Sequence, residues 1–262
     1  MCCICPYSVY SQKTPSLELN FGFSFPGKDL AGDFVSVSDS GFYSISPEFV
    51  RDNYGTSTGV NASGSITFPL DDKRLLNFIF TGEYNYFNAF RKSILGVGKE
   101  NNVTVPVTYD NSFSSTTVGL GIGTNPGVFK NVSAYLNSAV TMNFLSMSYT
   151  KNDIFRTYFS DSFRMGIKTG AGLSYQINQE YSFILGASYN ISNLLFKSVH
   201  SGYSDRLESN RDNLPVNDAA GSFYTNLSDP SAGFSVADGK KKNIDWWSIN
   251  AGISILLGKS KK

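Results

Sequence analysis

One histidine marks the place where the chain could assemble a hydrolytic group of side chains. His200 is followed by Ser201 and Ser204, with Asp205 and Glu208 close behind. A hydroxyl, an imidazole and a carboxylate can supply a nucleophile, its general base and the group that orients that base. However, serine and aspartate are common in any solvated loop, and this loop lacks a His-x-Ser pair set in a strand. We therefore predict no catalytic residue and keep a hydrolase built on His200 as an alternative.

The three cysteines could be considered as metal ligands. Cys2, Cys3 and Cys5 lie together at the start, without spaced partner cysteines or a nearby histidine to complete a zinc site. No phosphate-binding loop or dinucleotide fingerprint occurs either. The sequence therefore predicts no metal site, no cofactor and no disulfide framework.

The start of the chain resembles the end of a secretory signal. Val9 and Ser11 supply the small or apolar residues expected before a cleavage site at Gln12. No linker rich in proline or serine divides the rest of the sequence, which indicates one domain. We expect a signal-like segment with an N-terminal extension at 1–15, the domain at 16–258 and a basic tail at 259–262.

Four charged residues have a different character, because each falls on the polar side of a segment in which apolar and polar residues alternate. They are Glu18, Glu83, Arg164 and Lys168. Two acids and two bases facing one interior can cancel one another's charge, and an unpaired buried charge is costly. We predict a neutralising network, with a gate or narrow ion path as the alternative.

The alternating segments predict β-strands, and the clearest pair runs from Phe163 to Ile191. Large residues at every second position oppose glycine, serine and other polar residues, which is the periodicity of a strand. Only Asn178, Gln179 and Glu180 separate the two runs, so they predict a tight hairpin. Strands of soluble sheets are usually about 5–6 residues long, and these runs are much longer. They are more typical of a transmembrane β-barrel.

The same alternation predicts eight strands, with connections that are long and short in turn. Long connections are expected at roughly 90–112, 150–161 and 197–242, besides the one after the first strand. Outer-membrane barrels have this order because their periplasmic turns are short and their external loops are long. The predicted strands are 16–25, 60–68, 76–86, 116–123, 132–144, 163–177, 181–191 and 246–257.

Composition agrees with a barrel and limits the partners. Mean hydropathy is −0.16, and no run approaches the ~18 apolar residues of a spanning helix. Alternation hides the apolar half of a barrel from such an average. The net charge is +1, so a nucleic-acid partner is not expected.

From its eight alternating runs to its last amphipathic segment, WWSINAGISILLG, the chain resembles the eight-stranded outer-membrane barrels of the OmpA-transmembrane, OmpX and PorT-like kind. The resemblance covers 16–258 and departs at the basic tail. It implies an all-β, antiparallel, up-and-down barrel in the outer membrane of a Gram-negative bacterium. A lumen of this size is filled by side chains or holds one small ligand. Tyr135, one hairpin step from Gly119 and Gly121, is the expected filler.

Aromatic residues near the predicted strand ends are expected to anchor the barrel at the membrane interfaces. These are Tyr84, Tyr86, Tyr175, Tyr181, Tyr189, Trp246 and Trp247.

The function predicted from these features is structural and non-enzymatic. The barrel would be anchored by outer-membrane lipid and would present its long loops to a protein partner. A narrow porin or small-ligand channel is the first alternative, followed by the His200 hydrolase and a soluble lipocalin-like barrel. The oligomeric state stays open.

Overall fold

The computed structural model shows an almost entirely β fold. It describes residues 14–31, 36–37, 43–44, 54–71, 75–89, 93–100, 103–129, 131–151, 155–198, 216, 218–219, 222–225, 234–237 and 241–258. Among them no helix is long and apolar enough to cross a membrane. The cysteines, the signal-like start, His200 and the basic tail lie outside the described residues.

The described elements are fourteen strands and one short helix. In chain order they are β1 (Ser16–Pro26), α1 (Lys28–Ala31), β2 (Ser36–Val37), β3 (Tyr43–Ser44), β4 (Thr56–Pro69), β5 (Leu76–Ala89), β6 (Ser93–Glu100), β7 (Val103–Thr124), β8 (Gly127–Phe129), β9 (Val132–Lys151), β10 (Phe155–Gln176), β11 (Tyr181–Leu195), β12 (Ser222–Thr225), β13 (Phe234–Ala237) and β14 (Asp245–Leu256).

Eight antiparallel strands close into a barrel. The order is β7-β5-β4-β1-β14-β11-β10-β9, and β7 pairs with β9 to complete the ring. The first and last barrel strands meet in register from Ser16 opposite Leu256 to Pro26 opposite Trp246. Short turns connect strands at one end, called the turn end here, and the long connections lie at the other, called the loop end. The predicted fold class is confirmed.

The outer wall of this barrel is apolar. Phe21 is 70% exposed, and large side chains stay exposed around the ring at alternating positions. Their neighbours in sequence face the lumen and are mostly serine, threonine, asparagine or glycine. A soluble lipocalin-like barrel would place its polar groups outside, so that alternative is wrong. The exposed wall includes Phe23, Phe80, Leu120, Leu136, Val140, Leu173, Leu185, Ile249 and Ile253.

Closure and the apolar wall together define the environment of the protein. Lipid cannot satisfy a free strand edge, and a closed antiparallel barrel leaves none. Barrels of this kind, with an apolar outer band, span bacterial outer membranes with their short turns in the periplasm. The chain is therefore an integral outer-membrane β-barrel.

Two predicted loops are largely strands. Within 90–112 the chain forms β6 and the first part of β7, and β9 and β10 extend the barrel wall through most of 150–161. Beyond the hydrocarbon layer neither face of a strand must be apolar, so the pattern that identified the other strands weakens there. One signal was nevertheless present, since Val103, Val105 and Val107 alternate with polar residues and proline.

The apolar wall predicts how much an introduced charge should destabilise the barrel at different depths in the membrane. Leu185 of β11 lies opposite Ala251 in the middle of β14, whereas Leu257 follows β14 at the turn end, and both are about half exposed. We expect Leu185→Arg to destabilise the barrel by about 2–4 kcal/mol and Leu257→Arg by about 0–1 kcal/mol. Urea unfolding from lipid vesicles measures both. Equal costs would contradict the placement of Leu185 inside the lipid layer.

Candidate functional site

The lumen is the candidate site, because the strands bring the four predicted charges to its inner face. They do not form one network. Glu83 binds Lys168, Arg164 binds a residue of the last long connection, and Glu18 accepts a hydrogen bond from Ser65. The lumen is thus divided into an outer part near the loop end and an inner part near the turn end.

The Glu83–Lys168 ion pair spans the lumen from β5 to β10. Glu83 is buried, and the Asn85 side chain donates to its Oε1 at 2.8 Å. The Ser24 hydroxyl in turn donates to Asn85 Oδ1 at 2.8 Å, and Asn61 donates to Ser24. The pair therefore belongs to a layer of hydrogen bonds that ties together β1, β4, β5 and β10.

Arg164 is paired with Asp218, and both side chains are buried. The guanidinium donates from Nε and from one terminal nitrogen to the two carboxylate oxygens, at 2.9 and 2.8 Å. Asn193 and the backbone of Ser198 also donate to this carboxylate. Such a bidentate, fully hydrogen-bonded pair fixes geometry as well as charge. We call these four residues the Arg164 lock.

The Arg164 lock holds part of the last long connection over the mouth of the barrel. The Arg164 guanidinium donates to the carbonyl of Val216 at 2.6 Å, and the backbone of Lys242 donates to that of Asp218. Lys197 donates to the Lys242 carbonyl, and burial lowers the pKa of this amine while Asp218 opposes that effect. Residues 216, 218–219 and 241–244 thus form a cap that is bonded to β10 and β11.

The first connection completes the cap. Helix α1 places the buried Leu30 at the mouth, and its carbonyl accepts a hydrogen bond from Thr56. The carboxylate of Asp29 accepts from the backbone of Asn243 at 2.8 Å. The buried ammonium of Lys242 lies 4.5 Å from the ring centre of Tyr54, a favourable cation–π geometry.

Four buried aromatic rings fill the lumen beneath the cap. Phe87 contacts both Phe113 and Trp246, with ring centres 5.8 and 5.5 Å apart, and Tyr54 lies 6.3 Å from Phe113. All four are fully buried. We call them the aromatic plug.

Trp246 was expected at the membrane interface, and that expectation is wrong. It lies on the inward side of β14 in the aromatic plug, while its neighbour Trp247 is exposed on the wall. Alternation along β14 requires this, since adjacent residues face opposite sides. Extending the same alternation along β5 and β7 would also have placed Phe87 and Phe113 inside.

The other predicted interface aromatics lie on the outer wall, with one group at the turn end and the other towards the loop end. Tyr175 and Tyr181 flank the turn end. Tyr189 packs against Trp247, with ring centres 4.6 Å apart, and its hydroxyl donates to Asp245. Tyr84 and Tyr86 are exposed near the loop end of β5.

The inner part of the lumen contains a polar cavity of about 60 Å³. Glu18 and Lys168 are the charged residues that line it, together with serine, threonine and asparagine side chains. Tyr135 lies at one side, and its ring occupies the space in front of Gly172 and Gly186. Tyr135 is therefore a lumen filler as expected, but the glycines that accommodate it belong to β10 and β11.

Several lumen glycines have an asparagine on the neighbouring strand folded over them. Asn20 faces Gly252, Asn250 faces Gly22, and Asn137 faces Gly170 in the strand register. In each pair the Oδ1 atom lies within 2.6 Å of the position that a Cβ of the glycine would take. Glycine is therefore required at these positions so that the amides can lie flat against the wall.

No sequence pattern indicated the Arg164 lock or the cap. Asp218 and Lys242 lie in a connection without alternation, where acidic and basic residues are normally solvated. No group of three or more histidine, cysteine, aspartate or glutamate side chains that could hold a metal ion occurs in the described part of the chain.

The similarities to known proteins are found among solved structures. No protein-family model and no curated protein matches the chain. The structure is similar to those of Neisserial surface protein A, the outer membrane protein OprG from Pseudomonas aeruginosa and the outer membrane protease OmpT from Escherichia coli. Identities are 11%, 9% and 9%, and TM-scores are 0.46, 0.45 and 0.39. The matches cover 93%, 95% and 93% of this chain and 97%, 99% and 97% of those chains.

The packing of Tyr135 predicts that Gly172 cannot be replaced. A Cβ at Gly172 would lie 2.4 Å from the Leu185 carbonyl and 2.5 Å from the Tyr135 hydroxyl. We expect Gly172→Ala to destabilise the barrel by about 1–3 kcal/mol, since the backbone must shift. Gly64→Ala is the control, because the nearest atom to its Cβ would be 3.6 Å away. Chemical unfolding measures both, and an equal loss in both variants would contradict the tight packing of Tyr135.

Proposed function

We propose that this protein is a non-enzymatic structural barrel whose lumen is closed and whose external loops present a surface to a protein partner. The observation that carries the proposal is the closure of the outer lumen by the aromatic plug and, above it, the cap held by the Arg164 lock. A barrel of eight strands has little interior space to begin with. Four fully buried rings occupy that space in the described part of the chain.

The energetics of the lock favour a closed resting state. Asp218 is fully buried and accepts hydrogen bonds from Arg164, Asn193 and Ser198. Opening the cap would separate two buried charges, and breaking a buried pair costs several kcal/mol. Thermal motion alone would therefore open the cap rarely.

Display of the loop end is the second part of the proposal. β6, the first part of β7 and the β12–β13 hairpin provide paired backbone in the long connections. Binding residues in many proteins are carried on loops positioned by a rigid scaffold, and the barrel supplies such a scaffold.

A narrow channel is the second candidate, because the inner lumen contains the polar cavity with Glu18 and Lys168. For that function the cap would act as a gate rather than a permanent seal. The Arg164 lock would then be the group that has to break during opening.

Conductance measurements on planar bilayers test the closed lumen. We expect the wild-type protein to be silent, and Asp218→Ala to produce intermittent current because Arg164 loses its buried partner and the cap is released. Asp71→Ala is the control, since Asp71 lies in a turn-end connection and its carboxylate accepts from the backbone of Leu76. This variant should stay silent.

Steady current through the wild-type protein would contradict the closed lumen and support the channel.

The Arg164→Ala variant and the double variant Arg164→Ala/Asp218→Ala complete a double-mutant cycle with Asp218→Ala. We expect each single variant to lose about 3–5 kcal/mol of stability and the double variant to lose less than the sum, because it leaves no unpaired charge.

A further inference from the structure

Glu18 is the lumen charge that lacks an oppositely charged partner in the part of the chain that the structure describes. Lys168 is bound to Glu83, and Arg164 is bound to Asp218, so these two pairs cancel. The hydrogen bond that Glu18 accepts comes from the neutral hydroxyl of Ser65, at 3.1 Å. The inner cavity thus contains one carboxyl group that has no cationic partner among the described residues.

The cavity also contains polar groups without protein partners. Ser188 is 5% exposed and lines the cavity, and its hydroxyl makes no hydrogen bond to the described residues. The buried Oδ1 atoms of Asn20 and Asn250 are also unpaired, but they lie against Gly252 and Gly22 on the neighbouring strands. Buried polar atoms in proteins are nearly always paired with protein, water or an ion. An unpaired hydroxyl in the same cavity as an unpaired carboxyl group points to a ligand that is itself polar.

We propose that this cavity binds a small monovalent cation, sodium or potassium, with the Glu18 carboxylate as its anionic ligand. The neutral hydroxyl oxygens of Ser65 and Ser188 and a few water molecules complete its coordination. The proposal rests on the inner cavity alone and holds whether the outer lumen is sealed or gated.

Charge and size both favour a monovalent ion. One positive charge neutralises Glu18, whereas a divalent ion would leave an excess charge in a confined space. Tight calcium sites recruit several carboxylates, and this cavity offers one that is not already paired. A volume of about 60 Å³ exceeds the ~10–15 Å³ needed for one water, so an ion with a few waters fits.

Thermal unfolding of the full chain, folded in detergent, tests the proposal. The midpoint is measured in sodium, potassium and N-methylglucamine chloride at equal ionic strength and pH, since N-methylglucamine is too large for the cavity. We expect the midpoint to be higher in sodium or potassium by roughly 3 °C once the ion is about tenfold above its dissociation constant.

Variants at the turn end separate the site from general salt effects. Glu18→Gln keeps the shape of the side chain and should abolish the difference between the salts. Glu180→Gln removes an exposed carboxylate in the β10–β11 turn and should leave the difference unchanged. Equal midpoints in all three salts for the wild type, or a difference that persists in Glu18→Gln, would overturn the proposal.

A second measurement does not depend on the folding of any variant. Sodium-23 relaxation is recorded while folded wild-type protein is added to sodium chloride. We expect faster relaxation that added potassium reverses and added N-methylglucamine leaves unchanged. Relaxation that does not respond to the folded protein, or that N-methylglucamine reverses as well as potassium, would also overturn the cation site.

Discussion

The backbone pairing of β7 with β9 is the interaction on which the rest of the structure depends. In a lipid layer an unpaired strand edge has no water to satisfy it, so a sheet can span the membrane only when it closes. Closure runs from Tyr109 opposite Lys151 to Thr124 opposite Leu136, along almost the whole shared length of the two strands. Once the ring is closed, each side chain of the wall faces either the lipid or the lumen.

That division creates the central problem of the lumen, which is how to keep polar groups paired in a narrow space. The chain uses three solutions at different depths. Near the loop end the Arg164–Asp218 pair is embedded in further hydrogen bonds. At mid-depth Glu83 and Lys168 cancel each other within a layer of amides and hydroxyls. Near the turn end asparagines fold over glycines, and Glu18 is left for a ligand from solution.

The parts of this structure that could be predicted from the sequence are those governed by alternation. Phe21 and Leu185 on the wall, and Glu83 and Lys168 in the lumen, follow from a strand period of two and a requirement for apolar groups against lipid. The same rule places Trp246 inside. Its assignment to the interface rested on its aromatic character and was wrong, because its position along the strand decides which side it faces.

The Arg164 lock could not be predicted, because it joins β10 to a connection more than fifty residues further along the chain. Nothing local distinguishes Asp218 from the solvated acids around it. Its burial depends on the three-dimensional path of the cap, including the left-handed backbone of Phe196, where φ is 65° and the chain turns from the wall towards the mouth. Contacts of this kind are set by tertiary structure and not by periodicity.

Gel migration tests most directly whether the alternating strands form a closed barrel in the membrane. The protein is extracted from membranes in mild detergent for this measurement. We expect the protein in the membrane fraction, and we expect unboiled and boiled samples to migrate differently, because a closed barrel resists detergent until heated. Recovery of the protein in the soluble fraction, with the same migration before and after boiling, would contradict it.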